Sequence, residues 1–104
     1  MIMFTRVFTR PNTSVPFHHE VLDNTEYKAR LIAAYINTEK LIAQMKTFSD
    51  DELVMTYTAF WKDRASFDEY DSDPILIPYW TARDAYCAEN NIILGPQTFE
   101  EMPT

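Results

Sequence analysis

Aromatic and basic side chains are the residues of this sequence that could do chemistry together. The set consists of Tyr57, Trp61, Tyr79, Trp80, Arg83 and Tyr86, with Arg6 as a further basic side chain. Rings on a helix and a facing sheet can enclose a cavity for an apolar or aromatic ligand, in which Arg6 or Arg83 would meet a carboxylate or a phenolate. The alternative, that the same residues are core and dimer-interface aromatics, is the more common arrangement, and the sequence does not exclude it.

His18 and His19 are the only histidines, and they are adjacent in a segment that the pattern predicts to be a loop. Because neighbouring side chains of extended backbone point in opposite directions, at most one of them enters a cavity, and we assign His19 to it. A histidine there could act in catalysis or ligate haem, and it could titrate near neutral pH. An ordinary surface or capping histidine is the alternative.

Other reactive groups in the sequence favour structural roles. The acidic residues Asp68, Glu69, Asp71 and Asp73 are typical of a solvated face with helix caps. Cys87, the only cysteine, lies in an apolar pattern without a paired histidine, which favours a buried and inert thiol. A single glycine leaves no phosphate-binding glycine loop, and no spacing of acidic residues suggests metal ligands. We therefore expect no metal and no cofactor.

Composition and charge narrow the class of protein. A chain of 104 residues with 46% hydrophobic content is expected to fold as one domain. The formal net charge of -7 repels a phosphate backbone and an anionic membrane, so we expect no nucleic-acid partner and no membrane partner. A lone thiol fits a reducing compartment, and no apolar run approaches the roughly 20 residues of a bilayer span. We expect a cytoplasmic protein.

The elements that would position these residues begin with strands. Apolar residues alternate over residues 2–9, and residues 38–61 read as an antiparallel hairpin with a turn at Ser49, Asp50 and Asp51. Neither face of the second hairpin strand is clearly polar, so both faces need a cover. A helical layer can cover one face. A second copy of the chain would cover the other, through a dimer face that includes Thr56, Tyr57 and Thr58.

Helical patterns separate and follow the strands. The first helix is predicted over residues 23–37, where Asp23 and Glu26 form a capping-box pattern. Asp63 can cap a short second helix, and a third is predicted over residues 78–90 after a bent lead-in. Residues 92–94 could form a short last strand, and residues 97–104 are expected to be a loose tail. The order predicts an α+β, ferredoxin-like βαββαβ fold with helices on one face of an antiparallel sheet.

One stretch of the chain carries a likeness to known proteins. The strand LVMTYTAFW, the following KDRASFDEYDSDP and the helix YWTARDAYCAENNI resemble the dimeric alpha+beta barrel superfamily, which includes domains of the antibiotic-biosynthesis monooxygenase type. The resemblance covers residues 41–92 and implies a homodimer formed through the open sheet face, with a small cavity between sheet and helices. The chain also looks like small proteins of tailed phages. The last strand is short, and no diagnostic catalytic set is present.

Three functions fit these observations. The favoured hypothesis is a small homodimeric accessory protein that binds a protein partner through its acidic surface without catalysis. The alternatives are a cofactor-independent monooxygenase-like enzyme acting on small aromatic substrates and a protein that binds an aromatic molecule or haem. An enzyme needs an open pocket in which polar groups converge, whereas an interaction protein is expected to have a filled core.

Overall fold

The computed structural model describes residues 1–103. It has a five-stranded antiparallel sheet with helices on one side. The strands are β1 (Ile2–Thr9), β2 (Leu41–Phe48), β3 (Val54–Trp61), β4 (Ile93–Leu94) and β5 (Thr98–Glu101). The helices are α1 (His18–Val21), α2 (Thr25–Leu31) with a π-helical turn (Ile32–Ile36) directly after it, α3 (Arg64–Asp71) and α4 (Ile77–Glu89). The predicted ferredoxin-like fold is confirmed.

Strand β1 lies at the centre of the sheet. The order is β2-β3-β1-β4, and β5 also pairs with β1. The hairpin of β2 and β3 has its predicted position, and it closes where the amide of Ser49 donates to the carbonyl of Val54 over 2.9 Å. Glu52 takes a positive φ of 63° in the turn between the two strands. This hairpin and β1 together provide the surface on which the helices pack.

The two faces of the sheet differ in their cover. On β3, Met55, Ala59 and Trp61 are buried beneath the helices. Tyr57 belongs to the same row, since side chains two apart on a strand share a face. Its assignment to the dimer face is therefore wrong, whereas Thr56 and Thr58 lie on the opposite face, which no helix within residues 1–103 covers.

The predicted starts of α3 and α4 are confirmed, but the capping box predicted at Asp23 and Glu26 is not formed, since Asn24 is the N-cap of α2 and Oδ1 of Asp23 accepts from the amide of Thr25 over 3.0 Å. The amide of Ser66 donates to Oδ1 of Asp63 over 2.8 Å at the start of α3. Helix α4 begins at Ile77 with Pro78 in its first turn, where the missing N–H breaks no helical bond. The bent lead-in is present, because the Leu76 amide donates to the carbonyl of Asp73 over 2.9 Å. None of the helices within residues 1–103 is long and apolar enough to cross a membrane.

Two segments differ from the prediction. Residues 18–21 form the short helix α1 and not a loop, because the Glu20 carboxylate accepts a hydrogen bond from the Phe17 amide over 2.8 Å and closes the turn. Residues 98–101, expected within a loose tail, form β5 against β1, with Phe99 opposite Phe4. Phe99 anchors this strand, since its ring lies 4.9 Å from that of Phe67.

Asp73 also differs from the expected solvated acidic face. Its side chain is buried, with 4% of the residue exposed, and Oδ2 accepts from Arg30 Nε over 2.8 Å and from the Tyr35 hydroxyl over 2.6 Å. Oδ1 accepts from the amide of Ile75 over 3.0 Å. Asp73 therefore ties the first helical segment to the lead-in of α4, while Asp68, Glu69 and Asp71 stay exposed.

Candidate functional site

A cavity of about 380 Å³ lies between the sheet and the helices. Its floor is the helix-facing side of β1, β2 and β3, and its walls come from all four helices. The floor residues are Phe4, Arg6, Phe8, Gln44, Lys46, Met55 and Tyr57. The strand period puts these side chains on one face, and the helices that cover the rest of that face leave this part of it open.

Aromatic rings line one part of the cavity. The ring of Tyr27 stacks on Tyr79 at 4.7 Å between centroids and meets Trp80 edge to face at 5.3 Å. Tyr70 lies behind them, 5.3 Å from Trp80, and its hydroxyl oxygen is 2.9 Å from that of Tyr27. Burial raises the pKa of both phenols, so both stay neutral at pH 7. This part of the cavity suits a flat apolar ring.

Tyr57 connects the aromatic part to the floor of the cavity. Its hydroxyl donates to Oε1 of Gln44 over 2.8 Å, and its ring meets Phe4 edge to face at 6.1 Å. Burial raises the pKa of Tyr57 well above its usual range. The residue is therefore a fixed neutral phenol.

Positive charge collects in the rest of the cavity. Its lining includes Arg6, Lys28, Lys46 and Arg83, four of the nine basic residues in a chain of net charge -7, and a single carboxylate, Asp71. A cleft lined by one sign of charge focuses its field and concentrates counter-ions. The cavity is thus suited to an anion even though the protein as a whole is acidic.

Arg6 and Arg83 are the two guanidinium groups in this lining. Nε of Arg6 donates to the carbonyl of Gly95 over 2.9 Å, and burial followed by the charge of Arg83 lowers the pKa of Arg6. The Arg83 guanidinium lies 4.9 Å from the centre of the Trp80 ring and bonds to Oδ1 of Asp84 over 3.1 Å. These contacts fix both side chains at the cavity.

Both histidines line the same cavity, which corrects the prediction that only His19 does. A helical turn places neighbouring side chains about 100° apart, so two adjacent residues can border one space. His18 is 7% exposed and packs on Phe8 at 5.1 Å between ring centres. Burial and then the charge of Arg83 lower the pKa of His18 to about 3, and burial lowers that of His19. Nδ1 of each ring is buried without a hydrogen-bond partner among residues 1–103.

The structure brings most of the predicted pocket residues to one place. Those that border the cavity are Arg6, His19, Tyr57, Tyr79, Trp80 and Arg83. Tyr86 does not, because its hydroxyl donates to the carbonyl of Pro16 over 2.5 Å and so supports the start of α1 from outside. Sequence reasoning missed His18, Tyr27, Tyr70 and Lys46. The row alternation of β2 could have pointed to Lys46, and the apolar stripe of the first helix contains Tyr27.

Comparison with known proteins rests on structure, since the sequence matches no family profile and no curated protein. SnoaB, a cofactor-independent oxygenase from Streptomyces nogalater, superimposes with a TM-score of 0.62 at 16% identity, covering 99% of this chain and 93% of SnoaB. A dimeric ferredoxin-like protein from an uncultured marine organism gives 0.63 at 13% identity, covering 99% and 97%. A proposed antibiotic biosynthesis monooxygenase from Deinococcus radiodurans gives 0.58 at 10% identity, covering 100% and 94%.

These neighbours have the ferredoxin-like fold that the resemblance implied, and at 10–16% identity they show the fold alone. The favoured hypothesis of a non-catalytic accessory protein is wrong, because the neighbours include cofactor-independent monooxygenases and favour the alternative hypothesis. The binding of a protein partner through the acidic surface has no support either. None of the three neighbours bears on the likeness to phage proteins.

Proposed function

We propose that the protein is a homodimeric, cofactor-independent monooxygenase-like enzyme that oxidises a small aromatic substrate inside the cavity. The observation that supports this most is the composition of the lining: stacked aromatic rings beside two guanidinium groups and two imidazoles. SnoaB, which has the same fold, is described as a cofactor-independent oxygenase.

The reaction class is the oxidation of an activated methylene to a carbonyl. A ring-flanked CH₂ group reacts with O₂: two C–H bonds and the O–O bond break, a C=O bond forms, and the second oxygen leaves as water with both hydrogens. The substrate supplies all four electrons, so no separate reductant is required. Its carbanion or phenolate form gives an electron to O₂ more readily than the neutral form does, and the first task of the site is therefore deprotonation.

Three side chains perform this task in the proposal. His18 borders the cavity and is neutral at pH 7, so its imidazole can accept the substrate proton. Arg6 and Arg83 stabilise the anion that results, and this anion favours the protonated His18 ring against the burial and the nearby cations that lower its pKa. The rings of Tyr79 and Trp80 hold the substrate flat, and Tyr57 and His19 complete the walls.

A homodimer belongs to the same proposal. The sheet face opposite the helices carries Thr56, Thr58 and Phe60 on β3, together with the exposed Val7 and Met45. An apolar and threonine-rich face of this kind suits another sheet better than water. One of the fold neighbours is described as dimeric, which supports a second copy as the cover.

Oxygen uptake with anthrone as the probe tests the proposed activity, because anthrone carries a CH₂ group between two aromatic rings. We expect uptake above the uncatalysed rate, with formation of anthraquinone, and a loss of about a hundredfold in kcat for His18→Gln. Arg64→Gln, outside the cavity, is the matched control and keeps the wild-type rate. An uncatalysed rate with anthrone, with hydroxylated anthrones and with anthrones that carry a carboxylate would refute the enzyme. Titration with hemin, followed at the Soret band, tests the haem alternative.

A further inference from the structure

We infer that Arg6 and Arg83 form a carboxylate subsite, so that the substrate of the proposed oxidation is an aromatic carboxylic acid. Only the statement that the bound acid is a substrate rests on the proposed function. The subsite itself depends only on charges and contacts within the cavity.

Few carboxylates compensate the charges of Arg6 and Arg83, although Asp71 borders the same cavity. Among residues 1–103, no carboxylate lies within 4.0 Å of the Arg6 guanidinium, although acidic residues outnumber basic ones sixteen to nine. The partner of Arg83 is its sequence neighbour Asp84, whose side chain is 61% exposed while that of Arg83 is 14% exposed. A solvated carboxylate of this kind offsets little of the charge that Arg83 presents to the cavity.

The two Nη groups of Arg6 remain available as hydrogen-bond donors. Nε of Arg6 is used by Gly95, and no hydrogen bond joins its two Nη groups to residues 1–103. An arginine fork with both Nη groups available matches the two oxygens of a carboxylate. The neighbouring charge of Arg83 disfavours the free Arg6 cation, and a bound anion removes that repulsion.

The ordinary pKa values of the possible ligands favour a carboxylate over a phenolate. A phenol has an ordinary pKa of about 10 and must lose its proton at a free-energy cost, whereas a carboxylic acid with a pKa of about 4 arrives ionised at pH 7. A carboxylate can therefore anchor the molecule before any proton is removed. The methylene group and the aromatic rings then extend towards Tyr27, Tyr79 and Trp80, the flat apolar part of the same cavity.

Binding of 2-naphthoate and of its neutral isostere 2-naphthamide, measured by isothermal titration calorimetry at pH 7, tests the subsite without any turnover. We expect naphthoate to bind about tenfold more tightly than naphthamide. Arg6→Gln and Arg83→Gln each lower the naphthoate affinity by about tenfold and leave the naphthamide affinity unchanged. Arg64→Gln removes the same charge outside the cavity and leaves both affinities unchanged.

Several outcomes overturn the subsite: equal affinities for the two probes, naphthoate binding that neither substitution weakens, or tighter binding of 2-naphthyl phosphate than of naphthoate. The comparison of the probes on the wild-type protein stands even where a variant does not fold. Naphthoate preference without oxygen uptake from any aromatic acid supports the subsite and refutes the enzyme. Oxygen uptake from neutral anthrone without naphthoate preference supports the enzyme and refutes the subsite.

Discussion

The hydroxyl oxygens of Tyr27 and Tyr70 lie 2.9 Å apart and join α2 to α3 behind the cavity wall. The two ends of this hydrogen bond differ in their surroundings. Both residues border the cavity, but Tyr70 is only 6% exposed, whereas Tyr27 is only partly buried. Loss of the Tyr27 hydroxyl therefore leaves a more deeply buried unpaired hydroxyl than loss of the Tyr70 hydroxyl does.

Removal of one hydroxyl at a time is expected to show this difference. Tyr27→Phe leaves the Tyr70 hydroxyl buried without a partner, at a cost of about 2 kcal/mol in the free energy of unfolding. Tyr70→Phe removes the partner of the Tyr27 hydroxyl, and because Tyr27 is less buried than Tyr70 we expect a smaller cost. The double variant removes both polar groups and lies closer to the wild type than Tyr27→Phe alone. Urea unfolding of all four proteins measures the three differences, and additive losses would contradict the argument.

The buried carboxylate of Asp73 supports a second prediction. Asp73→Asn removes the charge that pairs with Arg30, while its one carbonyl oxygen can still accept from the Ile75 amide and its NH₂ group can donate to the Tyr35 hydroxyl oxygen. Because 36% of the Arg30 side chain is exposed, its guanidinium can be solvated, and we expect a loss at the low end for broken buried pairs, about 3 kcal/mol. Asp68→Asn, at an exposed pair on α3, serves as the control and costs less than about 1 kcal/mol.

Much of the fold was predictable because its signals are local. The alternation of β1 and the hairpin, the Asp63 cap and the Pro78 position each lie within a few residues, and each is confirmed. Strand β5 was not predictable in this way. Its short TFEE sequence is strand only because Phe99 packs on Phe67 and β1 offers a free edge, and both causes lie far away in sequence.

The cavity was harder to predict than the strands. Periodicity placed Tyr57 in a row, but only the helices above it show that the row faces a cavity and not a dimer partner. His18 was missed because the turn of α1 depends on a hydrogen bond from the Phe17 amide to the Glu20 carboxylate. A spacing of three residues allows this contact but does not ensure that it forms. Whether aromatic residues leave a space or fill it depends on the distances between elements, which the sequence pattern does not contain.

Acid is expected to weaken the fold through His18. The unfolded imidazole has an ordinary pKa of 6.5, whereas in the fold burial and the charges of Arg83, His19, Lys46 and Arg6 lower it to about 3. Between these values the unfolded chain binds a proton that the folded chain does not. Stability therefore falls as the pH drops from about 6.5, with a slope of at most about 1.4 kcal/mol per pH unit for this one group.

The difference in slope between wild type and His18→Gln, by urea unfolding from pH 6.5 to 5, isolates this contribution. The variant is expected to be less sensitive to pH in this window. His19 acts with the same sign in both proteins because burial lowers its pKa as well, so its contribution cancels. Carboxylates with a lowered pKa, such as Asp73, are protonated mainly below this window. Parallel slopes would mean that the fold does not lower the pKa of His18.

The last prediction concerns the proposed dimer. It compares substitutions at two neighbouring residues of β3, Thr58 and Tyr57, which lie on opposite faces of the sheet. Thr58 lies on the open face, paired with Thr5 on one side and Met45 on the other, so Thr58→Lys places a charge in the middle of that face. We expect the substitution to weaken dimerisation by about a hundredfold in Kd while the monomer still folds. Ala85→Lys, on the exposed side of α4, adds the same charge and leaves the dimer intact.

Tyr57→Lys, one residue away, is expected to act on the other side of the sheet. Its ammonium would replace a phenol that contacts Phe4 and Gln44 at the cavity floor, so it lowers the stability of the fold and the binding of aromatic probes. Light scattering over a concentration series measures the mass of each variant, and thermal unfolding measures its fold. A Thr58→Lys protein that stays dimeric would refute the open-face dimer. A Tyr57→Lys protein that dissociates but remains as stable as the wild type would mean that Tyr57 faces a partner after all.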